Sequence, residues 1–484
     1  MTRVSIIVGV LALAGCSSVP KLGGDPIAIF PVAPEAPAQW VATGVSGEAP
    51  ATDWLSHFSD PVMVELVTEA LAANPSIRSQ YYAVQATRAQ ARSVYGRSLP
   101  NLSVTGSAGG TSTFVETVGG DERFNDPTFG LGADLSWEMD LWGRIRAGID
   151  AAEADLVAGE ADLEAARLAI AAQTAIAWID LNEALAQERV AVLTFEARQN
   201  ALDLTERRFS RGLTNALDVR TARTALASAE AAIAARRQAS GNATRRLEVL
   251  LGRYPQAAID APADLPVLND IPPAGNPILL LSRRPDVAAA EARVVAAGLR
   301  AEQARLALLP GLRLTGAVST SEEDIVDALD PSRVAARLIA SLSAPIFNGG
   351  ALKADRDAAV ARARASVETY ASTALTAWRE VEDALAADSL LAQQEDAQAR
   401  ALDEARLAED LATRQYTNGL VSIFNLIDSQ TRRLNAESNV IAARSARASN
   451  RVRYHLALGG GLPVASPPAP TAEAIISPEE ALLP

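Results

Sequence analysis

The sequence repeats itself at long range. Pro75 matches Pro285, Leu99-Pro100 matches Leu309-Pro310, and Gly106 matches Gly316, each at an offset of 210 residues. Leu135-Ser136 matches Leu342-Ser343 and Gly143 matches Gly350 at an offset of 207. Arg208-Phe209-Ser210-Arg211-Gly212-Leu213 then aligns with Gln415-Tyr416-Thr417-Asn418-Gly419-Leu420, again at 207. Proline and glycine carry much of this register, and alanine-rich helices of similar composition do not reproduce such punctuation. The chain is therefore built from two copies of one supersecondary unit.

Each copy reads helix, strand, strand, helix, helix. Pro75 and Pro285 suit the first turn of a helix, where the missing N–H costs nothing. Those helices stop before Pro100 and Pro310. In the first copy, Leu102 to Ser107 alternates apolar and polar residues. From Phe129 the alternation is cleaner: Phe129, Leu131, Ala133, Leu135, Trp137, Met139 and Leu141 share one face. In the second copy Leu312, Leu314, Gly316 and Val318 share a face, and a weaker strand is expected at 334–344. Long helical runs follow, about 143–209 and 350–416, each roughly 100 Å at 1.5 Å per residue. Gly212 and Gly419 suit the left-handed position that ends a helix, and Asn215 and Ser422 suit the next N-cap. Each long helix thus turns and comes back, over 215–251 and 422–458. The expected architecture is mainly α: a tall array of antiparallel helices with four strands at one end.

Four strands of about ten residues have the length of membrane β-strands. A sheet edge cannot stay open in lipid, so such strands must close into a barrel. Four are too few. The remainder must come from other copies of the chain, eight strands in a dimer or twelve in a trimer.

The N-terminus points to the same compartment. Arg3 precedes an apolar run, Val4 to Leu13, too short for a membrane helix but suited to a signal peptide. Leu13-Ala14-Gly15-Cys16 resembles a bacterial lipobox, which makes Cys16 the lipidated first residue of the mature chain. Ser17 resembles the sorting residue of outer-membrane lipoproteins. The longest mostly apolar stretch further on, Leu168 to Ile179, is too short to span a bilayer as a helix. The expected divisions are a signal peptide at 1–15, an extended lipid-anchored leader at 16–60, repeats at 61–270 and 271–462, and a disordered tail at 463–484.

Composition removes other classes. The formal net charge of −14 argues against a nucleic-acid partner. One cysteine excludes a disulfide or a cysteine-cluster metal site, and two histidines, His57 and His455, have no metal-ligand spacing. Gly130-x-Gly132 sits inside a strand, where no phosphate loop opens a helix. Glu322-Glu323-Asp324 reads as loop surface charge. No cofactor and no catalytic set is implied.

Further motifs carry a family resemblance. They are Asp53-Trp54, Phe58, Asp60-Pro61 and Asn74; Trp137-Glu138, Asp140-Leu141 and Gly143-Arg144; Arg283-Arg284-Pro285-Asp286; Glu380-Val381-Glu382-Asp383; and Gly459-Gly460-Gly461. With the lipobox, they resemble TolC/OprM-type outer-membrane factors of the NodT-like lipoprotein branch. The resemblance implies a homotrimer with a twelve-stranded barrel in outer-membrane lipid and a long periplasmic extension. It implies a passive channel that exports drugs or other small molecules for a tripartite efflux pump. Its partners would be a periplasmic adaptor and an inner-membrane pump of the resistance–nodulation–division type. On this sequence the adaptor-contacting tips would be Arg208, Gly212 and Leu213, with Gly419 and Leu420. The periplasmic gate would be Phe424 and Asp428, spaced i, i+4 on one helix face.

Overall fold

The computed structural model describes residues 37–42, 54–117 and 120–461. Cys16, the signal segment, most of the leader and the C-terminal tail lie outside the described residues. The helices are α1 (Pro61–Ala73), α2 (Pro75–Gly96), α3 (Arg144–Ser210), α4 (Ala216–Leu250), α5 (Pro277–Arg283), α6 (Pro285–Leu306), α7 (Ile325–Ala328), α8 (Ala351–Thr417) and α9 (Ile423–Ala457). The strands are β1 (Asn101–Thr117), β2 (Gly120–Met139), β3 (Gly311–Ser319) and β4 (Ala335–Ser343). The repeat is visible in the helix lengths: α3 and α8 have 67 residues each, and α4 and α9 have 35 each. Among the described residues, no helix is long and apolar enough to cross a membrane.

The chain divides into two compact units. The first comprises residues 86–157 and 292–369 and holds the sheet. Its strands run antiparallel in the order β1-β2-β3-β4, so β1 and β4 are both open edges. Paired residues in an antiparallel ladder share a face. Leu102, Val104 and Gly106 pair with Leu135, Ala133 and Leu131. Leu135, Trp137 and Met139 pair with Gly316, Leu314 and Leu312, which pair in turn with Leu338, Ala340 and Leu342. Every side chain in this register is apolar, and Leu102, Val104, Leu338 and Leu342 are exposed. The other face carries Ser103, Thr105, Asp134, Ser136, Glu138, Arg313, Thr315, Arg337 and Ser341.

The strands differ from expectation at their ends. β2 stops at Met139, and Asp140 instead accepts Ile145 N and Arg146 N at 3.1 and 2.7 Å, capping α3. β1 and β2 run 17 and 20 residues, well past the ends of the nine-residue β3 and β4. The overhang is a two-stranded ribbon with Arg123 over the Phe114 ring at 4.4 Å. Beyond Phe129 neither strand of the overhang alternates apolar with polar residues, so no alternation announces it. At the other end of the sheet, Trp137 Nε1 donates to Ser98 O and Trp142 Nε1 to Pro310 O, at 2.9 and 2.6 Å.

The second unit covers the described residues up to 85, with 158–291 and 370–461. Its core joins Trp54, Leu55, Phe58, Met63, Val67, Trp178, Ile179, Leu247 and Val452. The final part of the leader is thus a buried 3-10 turn, Trp54–Phe58, rather than extended chain. Many of the family-like motif residues act here as fasteners. Asp60 caps α1 and accepts Trp178 Nε1 at 2.8 Å. Asn74 donates to Leu250 O at the end of α4, and Arg284, its counterpart in the second copy, donates to Ala457 O at the end of α9. Gly459 has φ +73°, and a Cβ there would lie 2.8 Å from Arg283 O, so the turn after α9 requires glycine.

Candidate functional site

The residues singled out in the sequence gather at the two helix turns, α3–α4 and α8–α9, within the second unit. The turns are built alike. Leu213 N donates to Arg208 O and Gly212 N to Phe209 O; Leu420 N donates to Gln415 O and Gly419 N to Tyr416 O. These paired bonds form a Schellman motif, which places its C′ residue in the left-handed region. Gly212 and Gly419 sit there, at φ +70° and +77°. Asn215 caps α4 through Asp218 N, whereas the Ser422 hydroxyl donates to Asn425 Oδ1 and caps nothing.

One apolar cluster joins the turns: Ala201 and Leu202 of α3, Ala222 of α4, Ala412 and Tyr416 of α8, and Ile423 and Leu426 of α9. Thr205 Oγ1 and the Tyr416 hydroxyl lie 2.7 Å apart inside it. Outside it, Phe209, Leu213, Leu217, Leu420 and Phe424 are exposed. Large apolar side chains thus stand exposed at the ends of four helices.

The predicted residues do not behave alike. Leu213 and Leu420 stand out at the turns. Arg208 is half-buried and engaged: Nη1 donates to Tyr416 O at 2.9 Å and Thr417 O at 3.2 Å, and the guanidinium lies 5.2 Å from the Tyr416 ring centroid. It therefore ties one turn to the other. Phe424 and Asp428 are both exposed on α9, one turn apart, as the i, i+4 spacing requires. Asp428 is not a lone carboxylate: its Oδ2 accepts Arg432 Nε at 2.8 Å. That bond raises the pKa of Arg432 above the usual arginine value.

Sequence reasoning missed two arginines here. Arg432 was readable as the i+4 partner of Asp428. Arg198 carried no such signal, because its partners lie more than 200 residues away. It is buried on α3 and donates to Ile427 O, Gln430 Oε1 and Thr431 Oγ1 at 3.1, 2.7 and 2.8 Å. Burial holds its pKa below the usual arginine value, with Arg433 adding to the effect and Glu409 opposing it. It fixes α9 against α3 beside Asp428. Among the described residues, no group of three or more His, Cys, Asp or Glu side chains is placed to hold a metal.

Comparison with known proteins agrees with this architecture. The family model for "Outer membrane efflux protein" matches twice, over residues 66–253 and 277–460. The pyoverdine export outer membrane protein OpmQ of Pseudomonas aeruginosa is 30% identical over 469 residues, covering 95% of this chain and 97% of that protein. The cation efflux system protein CusC of Escherichia coli O6:H1 is 29% identical over 458 residues, covering 93% and 97%. The solved structure of the outer-membrane channel OprN superposes with a TM-score of 0.81 at 28% identity, covering 89% of this chain and 99% of that one. A doubled helical unit, an amphipathic four-stranded sheet and two family-model matches that together span most of the chain lead to one conclusion: the chain belongs to the outer membrane efflux protein family.

Proposed function

We propose that the chain is the exit channel of a tripartite efflux system, working as a homotrimer in the outer membrane. The sheet carries this reading. It has one apolar face, one polar face and two open edges. Its strands alternate in direction, so β4 of one copy can pair antiparallel with β1 of the next. Three copies close twelve strands with no edge left, the apolar face toward lipid and the polar face toward water. The channel holds no energy source of its own. Drugs or other small solutes would reach it from an inner-membrane pump of the resistance–nodulation–division type through a periplasmic adaptor. Gly212, Leu213, Gly419 and Leu420 offer the adaptor an apolar surface, with Arg208 holding the two turns together behind it. Phe424 and Asp428, repeated by threefold symmetry, form the periplasmic gate. Acylated Cys16 adds a lipid anchor to the barrel.

The test is the mass of the detergent-solubilised protein by light scattering, followed by planar-bilayer recording. Three chains per particle and a conducting pore are expected. A monomer that forms no pore would overturn the reading.

A further inference from the structure

The two histidines, distant in sequence, meet in space. The rings of His57 and His455 stack with centroids 5.0 Å apart and planes at 26°. His57 belongs to the Trp54–Phe58 turn and His455 to the last turn of α9. Trp54 stacks on the same His455 ring at 5.8 Å, and Phe58 and Tyr454 meet it edge-on at 6.1 and 5.7 Å. His455 is 1% exposed. Its Nε2, Nδ1 of His57 and Nε1 of Trp54 are buried without a hydrogen-bond partner.

The surrounding charges do not favour protonation. Arg451, one turn back on α9, is a neighbouring cation; it donates to Asp388 Oδ1 at 3.1 Å and to the carbonyls of Asn269 and Asp270. The Tyr454 hydroxyl is committed to Pro272 O. Asp60, just beyond the turn, accepts Trp178 Nε1 and the first amides of α1. Further upstream the same N-terminal stretch is fastened again. Trp40 Nε1 donates to Gly275 O at 2.8 Å, and Val41 N and Ala42 N each donate to a Glu382 carboxylate oxygen at 2.7 Å.

We infer that the Trp54–Phe58 turn is a proton-releasable fastening, which joins the N-terminal segment to α9 only while the His455 imidazole is neutral. When the turn lifts, His455 is uncovered and its free ring nitrogen takes a proton from water. Reclosure then requires that proton to leave, because a cation would be buried against His57 and Arg451. Nothing is oxidised or reduced. Burial, with His57 and Arg451 adding to it, pushes His455 down to about 3. The lifted state regains the ordinary value of about 6.5. The sign follows: a histidine whose closed-state pKa is depressed stabilises the closed state above about pH 6.5 and loses that contribution as pH falls. One proton taken up on opening multiplies the open population about tenfold per pH unit below that point. From pH 7.5 to 5.0 the rise is roughly 30-fold. Trp54, Leu55 and Phe58, all buried, keep the closed form dominant, so acid changes how often the turn opens and leaves the rest of the fold in place.

Hydrogen exchange followed by mass spectrometry, on the full chain in detergent micelles, reads this opening. Rates at pH 7.5, 6.5 and 5.0 are corrected for intrinsic exchange. Protection in peptides spanning Trp54–Phe58 should fall roughly 30-fold, while peptides from the middle of α3 hold theirs. The double variant His57→Phe with His455→Phe keeps the stacked rings and has no proton to take up, so its protection should stay flat. The inference is overturned if wild-type protection at the turn does not change with pH. It is equally overturned if the double variant loses protection as the wild type does, or if α3 loses protection to the same extent.

Discussion

Arg208 spends its guanidinium on the last carbonyls of α8, where the helix dipole is negative. Arg208→Ala should cost about 1–3 kcal/mol at the turns, with Arg208→Lys recovering part of it. Faster amide exchange over Tyr416–Leu420 would be the readout. The two turn glycines make a finer comparison. Any side chain at either pays about 1–2 kcal/mol for the left-handed backbone. A Cβ at Gly419 would also come within 3.1 Å of Arg208 Nη2, whereas nothing lies within 4 Å of the same position at Gly212. Gly419→Ala should therefore destabilise more than Gly212→Ala, and the difference should vanish in an Arg208→Ala background. A double-mutant cycle on thermal unfolding would measure it. Asp286 gives a pH signature. Burial pushes its carboxyl up, but the Arg284 hydrogen bond and charge outweigh this and hold it below the usual 3.8. A depressed carboxyl stabilises the fold above its unfolded value, and this is lost as pH falls through the folded value. Asp286→Asn should cost about 1 kcal/mol at pH 7 and nothing once Asp286 is protonated in the folded wild type.

At the scale of elements, the sheet separates two neighbouring positions. Leu338 lies on the apolar face and Ile339 on the other. Leu338→Arg should cost about 2–4 kcal/mol of membrane stability, and Ile339→Arg much less. The yield of assembled oligomer on a mild-detergent gel would distinguish them. The same contrast explains what could be read from sequence. The long helices were legible to within a residue or two, because Gly212 and Gly419 stop them by backbone geometry alone. β3 was legible because one buried-type face alternates with a polar one. The β1–β2 ribbon was not, since a ribbon with no neighbouring sheet needs no apolar face. Pro127 in β2 even argues against a strand, and is tolerated because its missing N–H faces no partner there. The Trp54–Phe58 turn and α5 were missed for another reason. Each is too short for helical periodicity, and each is held by residues far away, as Pro277 O is by Trp378 Nε1. Arg198 belongs to the same class, as do the contacts of Arg208, though not Arg208 itself: an arginine on a helix does not announce a carbonyl on another repeat.

In the proposed trimer each residue of the proposed α9 gate becomes a ring of three. The Asp428–Arg432 pair then places three cations beside three carboxylates. Arg432→Ala should leave the carboxylates unopposed and raise cation selectivity in single-channel recordings, whereas Asp428→Ala should lower it. Resting conductance should rise only when Phe424→Ala is added, because the phenylalanine remains the steric obstacle. The paired helix lengths have a consequence for how such a gene changes with time. α3 matches α8 at 67 residues and α4 matches α9 at 35, while the strands differ, 17 and 20 against 9 and 9. One codon inserted in the middle of α3 would turn everything after it by about 100°. Arg198 would then miss Ile427 and Arg208 would miss Tyr416, so a length change in one repeat must be answered in the other. The ribbon answers only to itself: residues added in facing pairs keep its register. Lineages of this channel can therefore lengthen or trim the ribbon freely, while their helices keep count.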